Sequence, residues 1–246
     1  MSTIKSALKF QESVVNIDLL SSSECQQVSS TVQKLKHLWI AQKPRVPFYS
    51  LGTGSYFHFQ PSSDVLLDEH YHTLVEKYNP LLQKHFGWLY QRLANRLSQH
   101  LNAPTCYSDN LALPGFHIFL FHPAFKFASA KQHRDLQYRQ HQWHENQENK
   151  RHISFTLALE LPKFGSGMNI WDLHHHEVDK LSQTEIESLT SSRKKVFYPY
   201  QLGALAVHSG HFTHQIAPAQ NMQSDDRRIT LQGHGTCDRG VWHLYW

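Results

Sequence analysis

SAKQHRDLQY, residues 129–138, holds the tripeptide on which the reading of this fold turns. His-Arg-Asp opens the catalytic loop of protein kinases, where the Asp takes a hydroxyl proton and an Asn five residues on holds magnesium. Here that later position is Gln140, no Asp-Phe-Gly follows, and no glycine-rich phosphate loop precedes it. The kinase reading fails. In an extended segment residues two apart point to one side, so His133 and Asp135 are able to grip one metal ion while Arg134 faces away.

A site with two histidines and one carboxylate draws its last ligand from a distant strand, which demands a histidine far downstream. GALAVHSGHFTHQIAPA (203–219) offers His208, His211 and His214. His214 is preferred, with His211 as the fallback, because Pro218 follows closely and Arg228 lies at a distance suited to the next antiparallel strand. Iron held by three protein groups keeps three positions open. A keto acid fills two of them and needs a cation for its far carboxylate. Arginine forks onto a carboxylate and stays charged. In RRITLQGH (227–234), alternation puts Arg228, Thr230, Gln232 and His234 on one face and Arg227, Ile229 and Leu231 on the other. That favours Arg228 over Arg227 as the carboxylate partner, with the Thr230 hydroxyl beside it.

These pieces fit a change of texture along the chain. Before residue 113 helical signals dominate. Ser21 and Glu24 have capping-box spacing ahead of Val28, Val32, Leu35 and Leu38, which predicts a helix over about 23–38. Apolar residues from Leu66 to Leu97 predict two amphipathic helices broken near Asn79-Pro80. After Pro114 come short apolar runs bounded by turn residues: 116–121, 152–161, 167–173, 204–209 and 227–234. They predict an antiparallel sandwich or jelly roll, buttressed by the N-terminal helices. An insertion of roughly residues 174–195 separates two strands, with a short helix at 184–190.

HRD at 133–135, the 203–219 segment and RRIT at 227–230 resemble the double-stranded β-helix of Fe(II)/2-oxoglutarate-dependent oxygenases, over roughly residues 113–235. The resemblance implies an α+β, cupin-like single domain, with residues 1–112 as mainly helical support and 113–240 as the core. It implies His133, Asp135 and His214 as catalytic iron ligands, and Arg228 and Thr230 as the 2-oxoglutarate site. Fe(II), 2-oxoglutarate and O2 would be the cofactor and cosubstrates. Members that halogenate replace the carboxylate ligand with a small residue, so the intact Asp135 favours hydroxylation; desaturation and cyclisation use the same triad. The expected activity is hydroxylation of an unactivated C–H bond in a small metabolite, an amino acid or natural-product intermediate, with release of succinate and CO2. A peptide or protein side-chain hydroxylase is the alternative within this chemistry. A non-catalytic jelly roll that binds metal or ligand is the alternative outside it.

Composition bounds the rest. The formal charge is +4, from 24 basic against 20 acidic residues spread along the chain, so no nucleic-acid partner is expected. Cys25, Cys106 and Cys237 lie far apart, without zinc-site spacing, which suits free thiols in a reducing compartment. Neither an apolar leader nor a membrane-length run occurs, and the expectation is a cytoplasmic protein without a membrane partner. Oligomeric state is not legible. Among twenty histidines, the run His174-His175-His176 is tempting as a second metal site. Adjacent side chains diverge in regular structure, however, and a loop over the site entrance is the plainer reading. Gln137, Tyr138 and Arg139 follow the ligand pair and are candidate substrate contacts, together with Asn169, Trp171 and Gln232. Trp242 and Trp246 are read as packing against the helices.

Overall fold

The computed structural model describes residues 14–58, 69–127, 131–141, 151–164, 166–219 and 222–246. Two sheets organise them. The larger runs in the order β1 (Val14–Asp18), β9 (Ala204–His208), β6 (His152–Glu160), β11 (Arg227–Asp238), β5 (Gly115–Leu120), β3 (Phe48–Leu51) and β2 (Ile40–Ala41). β12 (Val241–Tyr245) extends it from the far half of β11 and carries β4 (Thr105–Tyr107) in parallel. The smaller sheet is β10 (Phe212–Ile216), β7 (Gly167–His174) and β8 (Lys195–Pro199), antiparallel throughout.

The period-two pattern of the large sheet separates two environments. Phe116 and Ile118 of β5, Phe155, Leu157 and Leu159 of β6, Leu205 and Val207 of β9, and Ile229 and Leu231 of β11 enter one apolar cluster. The same cluster takes Cys25, Val28 and Val32 from α1 (Ser22–Lys34), and Leu82, Phe86, Leu89, Leu93 and Leu97 from α2 (Glu69–Leu101). Each such side chain, fully buried, contributes about 1.5–3 kcal/mol of transfer free energy. The intervening residues of these strands are His117, Ser154, Thr156, His208, Gln232 and His234. They face the second sheet.

Helix boundaries follow local chemistry. At α1 the Ser21 hydroxyl accepts from the Glu24 N–H at 3.3 Å and the Glu24 carboxylate accepts from the Ser21 N–H at 2.9 Å. α1 stops at Lys34, and Lys36–Leu38 form a separate 3-10 turn. The predicted break at Asn79-Pro80 does not occur: one helix of 33 residues runs through Pro80. Pro80 and Glu76 lie on the exposed side, so the carbonyl that loses its proline partner meets water, while Tyr78 and Leu82 keep the buried stripe continuous. The Asn79 side chain adds bonds to Leu111 O and from Leu113 N. Residues 64–68, where that helical reading began, lie outside the described residues.

The first 112 residues are less purely helical than their periodicity predicts, since β1 pairs with β9 and β3 with β5. The helix of the insertion, α3 (Gln183–Ser192), is longer than predicted and capped by Ser182 and Glu185; β8 begins where the insertion ends, at Lys195. The C-terminal Trp246 is fully buried against Tyr71, Val75 and Ala112, and Trp242 joins the main apolar cluster. No helix among the described residues is long and apolar enough to cross a membrane.

Candidate metal centre and cavity

Between the two sheets lies a cavity of about 660 Å³. His133 and His214 meet at its rim as a two-residue antiparallel bridge: His133 N donates to His214 O at 2.9 Å and His214 N to His133 O at 2.8 Å. Two residues on, Asp135 N donates to the carbonyl of Gly210 at 2.9 Å. The extended backbone predicted for 133–135 is therefore held by β10 and the turn before it.

These bonds bring three donor groups together. His214 Nε2 stands 3.2 Å from Asp135 Oδ2 and His133 Nε2 3.8 Å from Asp135 Oδ1. The ligand atoms of the three residues lie within 4.8 Å of one another. In both imidazoles Nδ1 is 2.8 Å from a main-chain carbonyl two residues upstream, Lys131 O for His133 and Phe212 O for His214. Each bond places the proton on Nδ1 and leaves the Nε2 lone pair aimed at the shared centre. Gln137 donates to Asp135 Oδ1 at 3.4 Å. Two neutral imidazoles and a carboxylate on one side, with the other side open, suit a first-row divalent metal.

The electrostatics agree. Burial opposes the charge on Asp135, yet His214, His234 and His133 around it hold its pKa well below the usual carboxylate range. Burial lowers the His133 pKa to about 4, helped by His214. In His214, burial is outweighed by the Asp135 carboxylate, and its pKa rises. Further along the wall, burial drops His117 and His208 to about 3 each.

Alternation on β11 separates the two arginines. Arg227 points to the helix side and binds Glu160 Oε1 at 2.8 Å and Gln33 Oε1 at 3.2 Å. Arg228 is buried, its guanidinium carbon 3.9 Å from the centre of the Phe119 ring. Among the described residues no hydrogen-bond acceptor or carboxylate meets it. Arg228 lines a small recess behind Phe119, Phe125 and Ile216, which also wall the main cavity. Burial lowers its pKa to about 10, so it remains a cation. A buried guanidinium without an anion is costly, and this one stands ready for a carboxylate.

The other predicted site residues divide. Gln137 and Gln232 line the cavity. Thr230 is buried but lines neither the cavity nor the recess; its hydroxyl lies 3.5 Å from the Gln232 amide, beside a register shift between Ile229 and Thr230. Asn169 and Trp171 are not in the wall. β7 turns Met168 to the cavity, while Trp171 packs with Leu173 and Val178 towards α3. Arg139 points away, to His175 and Asp179. The His174–His176 run does not cover the entrance either, since none of the three lines the cavity. His211, the fallback ligand, sits with that run: its carbonyl accepts from His175 N at 2.9 Å. His208 lies against the His214 ring at 4.8 Å without joining the triad.

Sequence reading missed most of the cavity wall. Phe48, Tyr56, Phe57, His117, Phe125 and Tyr200 come from β3, β5 and connecting segments. Half-buried Tyr56 and buried His117 pair at 2.6 Å, and His117 Nδ1 meets no partner among the described residues. The one available signal was alternation in GFHIFL (115–120), which puts His117 and Phe119 on the face opposite Phe116 and Ile118.

By sequence, the chain matches no family profile and no curated protein. Solved structures resemble it in fold. An N-substituted L-amino acid dioxygenase from Burkholderia ambifaria AMMD aligns over 100% of this chain and 91% of its own at 13% identity, with a TM-score of 0.62. A structure of such a dioxygenase from the same organism in complex with alpha-KG covers 100% and 90% at 11% identity, TM-score 0.58. SnoN, a non-heme alpha ketoglutarate dependent epimerase from nogalamycin biosynthesis, covers 96% and 83% at 15% identity, TM-score 0.51. What this chain shares with them is the fold, a mostly antiparallel jelly roll.

Proposed function

We propose that the protein is an Fe(II)/2-oxoglutarate-dependent oxygenase that acts on a small molecule. One observation carries the reading: a convergent two-histidine, one-carboxylate set in the cavity stands with, in the recess adjoining it, a buried guanidinium that no acceptor among the described residues satisfies. A metal-binding jelly roll without keto-acid chemistry has no use for that cation. His133, Asp135 and His214 would hold ferrous iron through Nε2, a carboxylate oxygen and Nε2. Bound there with 2-oxoglutarate, the iron supplies oxidising power from O2 as the keto acid is decarboxylated to succinate and CO2.

The chain's own groups do the rest. Arg228 binds the distal carboxylate of the keto acid, and Phe119 beneath it excludes water and strengthens that ion pair. Gln137 holds the Asp135 carboxylate in orientation. The backbone acceptors on both Nδ1 atoms keep the ligand imidazoles in one tautomer.

A cavity of about 660 Å³ fits a small ligand better than an extended chain. Phe48, Phe57, Phe125, Met168 and Ile216 call for a substrate with a sizeable apolar body, and Gln232 and Arg134 offer polar anchors at its wall. Hydroxylation of an unactivated C–H bond is the favoured outcome because the carboxylate ligand is present. Epimerisation is the second reading, since an epimerase shares the fold.

Anaerobic titration of the Fe(II) protein with 2-oxoglutarate should raise a visible charge-transfer band, and admission of O2 should release succinate. Absence of both refutes the reading. With a turned-over metabolite under ¹⁸O2, product carrying one heavy oxygen supports hydroxylation, and product of unchanged mass supports epimerisation.

A further inference from the structure

The run His174-His175-His176 lies outside the cavity, and its geometry is not that of a simple loop. β7 ends at His174, and the chain then winds into a 3-10 turn over His175–Glu177. That change of winding rotates the next two side chains back towards the first. The three rings gather with centroid separations of 4.5, 4.9 and 3.8 Å, and their ligand atoms lie within 4.8 Å of one another. Adjacent side chains that would splay apart in a strand are thus brought to one point.

A carboxylate stands beside two of the three rings. Asp179 Oδ2 stands 3.4 Å from His175 Nδ1 and 3.9 Å from His176 Nδ1. Its backbone N–H is tied to His175 O at 3.1 Å, which fixes the two residues relative to each other. In a tetrahedral site with metal–ligand bonds of about 2.1 Å, neighbouring donors are separated by roughly 3.4 Å. The Asp179–His175 contact equals that spacing, and the imidazole ligand atoms, within 4.8 Å of one another, would draw together around an ion. His175 is buried, and His211 O holds its backbone N–H, so the site has one rigid wall and one open side through the exposed His176.

A cation already contacts two of these groups. Arg139 Nη2 lies 3.1 Å from His175 Nδ1 and 3.5 Å from Asp179 Oδ2, on a side chain that remains partly exposed. The guanidinium marks the place where positive charge is stabilised.

We propose that His174, His175 and His176, with Asp179 beside them as the carboxylate that completes or braces the set, form a second divalent-metal site, separate from the His133–Asp135–His214 centre, and that metal binding displaces the Arg139 side chain. Three imidazoles and a carboxylate select borderline ions of the Zn²⁺ or Ni²⁺ kind. Arg139 belongs to the 3-10 turn Gln137–Gln140, whose Gln137 braces Asp135. The second site therefore contacts the segment that supports the first.

Co²⁺ is the probe, because four-coordinate Co²⁺ absorbs visible light far more strongly than six-coordinate Co²⁺. Metal-free full-length protein should take up two equivalents, one with the intense spectrum. The His176→Gln/Asp179→Asn double variant should keep one equivalent and lose the intense band. His214→Ala should lose the other equivalent and keep the band. Arg139→Gln should tighten the intense-band site about tenfold, a gain that misfolding cannot mimic, since it removes a competing cation. A single equivalent in the parent protein, two in the double variant, or no tightening in Arg139→Gln overturns the proposal. None of these outcomes depends on turnover, so failure here stays distinct from failure of the oxygenase reading.

Discussion

Replacing Gly210 with alanine should damage metal binding while leaving the fold nearly intact. Gly210 has φ +73°, a left-handed conformation, and its carbonyl accepts the Asp135 N–H at 2.9 Å. A Cβ there would lie 2.8 Å from Ser154 Oγ, 2.9 Å from Asp135 Cβ and 3.2 Å from Asp135 O. Carbon atoms in contact settle at about 3.5–4.0 Å, so Asp135 must retreat by roughly 0.5–1 Å. Metal–ligand distances tolerate only about 0.2 Å. Gly240 supplies the control: its φ is +81°, yet a Cβ there meets nothing within 4 Å. Both substitutions pay the left-handed penalty of about 1–2 kcal/mol, which for a domain of this size lowers Tm by about 2–4 °C per kcal/mol. Only Gly210→Ala adds the collision. Titration with Mn²⁺, followed by the loss of the free-ion EPR signal, should show affinity falling about 10–100-fold in Gly210→Ala and unchanged in Gly240→Ala. Parent-like Mn²⁺ affinity in Gly210→Ala, or an equal loss in both variants, would refute the placement of Asp135 against this turn.

Arg228→Gln should leave Mn²⁺ affinity unchanged and weaken 2-oxoglutarate by about 10²–10³-fold, the cost of truncating one partner of a buried charge pair; the charge-transfer titration measures it, and parent-like affinity would remove Arg228 from the site. Acid should destabilise the fold before any carboxylate titrates. Burial holds His117 near pKa 3 and His141 near 4, against 6.5 when unfolded, so the unfolded chain binds protons that the folded chain refuses. Stability then falls as pH drops from 6.5 towards 4, by about 1.4 kcal/mol per pH unit for each such histidine. His214, whose pKa is raised, gives stability already complete below 6.5 and does not offset this slope. Urea unfolding at pH 7 and 5 should show the loss, and equal midpoints would contradict it.

The sequence was most informative where a local rule acts alone. The Ser21/Glu24 capping box, the strands of the core and the His-x-Asp pairing all depend on spacing within a few residues. It misled at Pro80, where the cost of a lost hydrogen bond depends on whether the freed carbonyl meets water, and that is decided by which face the helix buries. It misled again at His174–His176, because divergence of neighbours assumes one regular conformation and the chain changes conformation within the run. Asn169 and Trp171 were ambiguous for a related reason: a strand's two faces are legible from alternation, but which face meets the cavity depends on the partner sheet. Tyr56, Phe57 and Tyr200 come from outside the core strands, and nothing local to them announces a shared cavity.

The unusual histidine content has a physical reason in this arrangement. The outer face of an antiparallel sheet is ordinarily polar and wet, but here that face of the large sheet is turned inward against the second sheet. Charged residues there would each need a partner, whereas an imidazole can stay neutral and still offer hydrogen bonds on both sides of the ring. His234, Ser154, His152, Thr236 and Tyr245 form such a chain, with contacts of 3.0, 3.4, 3.4 and 3.1 Å. Burial keeps both of its histidines below their ordinary pKa. With the wall histidines neutral, the charges of the cavity region are the negative Asp135, the positive Arg228 in the adjoining recess, and the basic Lys43, Lys131 and Arg134 of the lining. On the proposed reading, a divalent ion at the triad and a doubly charged keto acid reaching Arg228 would cancel one another, leaving an excess of basic groups at the wall. Protonating a wall histidine would add a further positive charge to a half-buried cavity already lined by basic groups, so keto-acid affinity and fold stability should both respond to acid through the same residues.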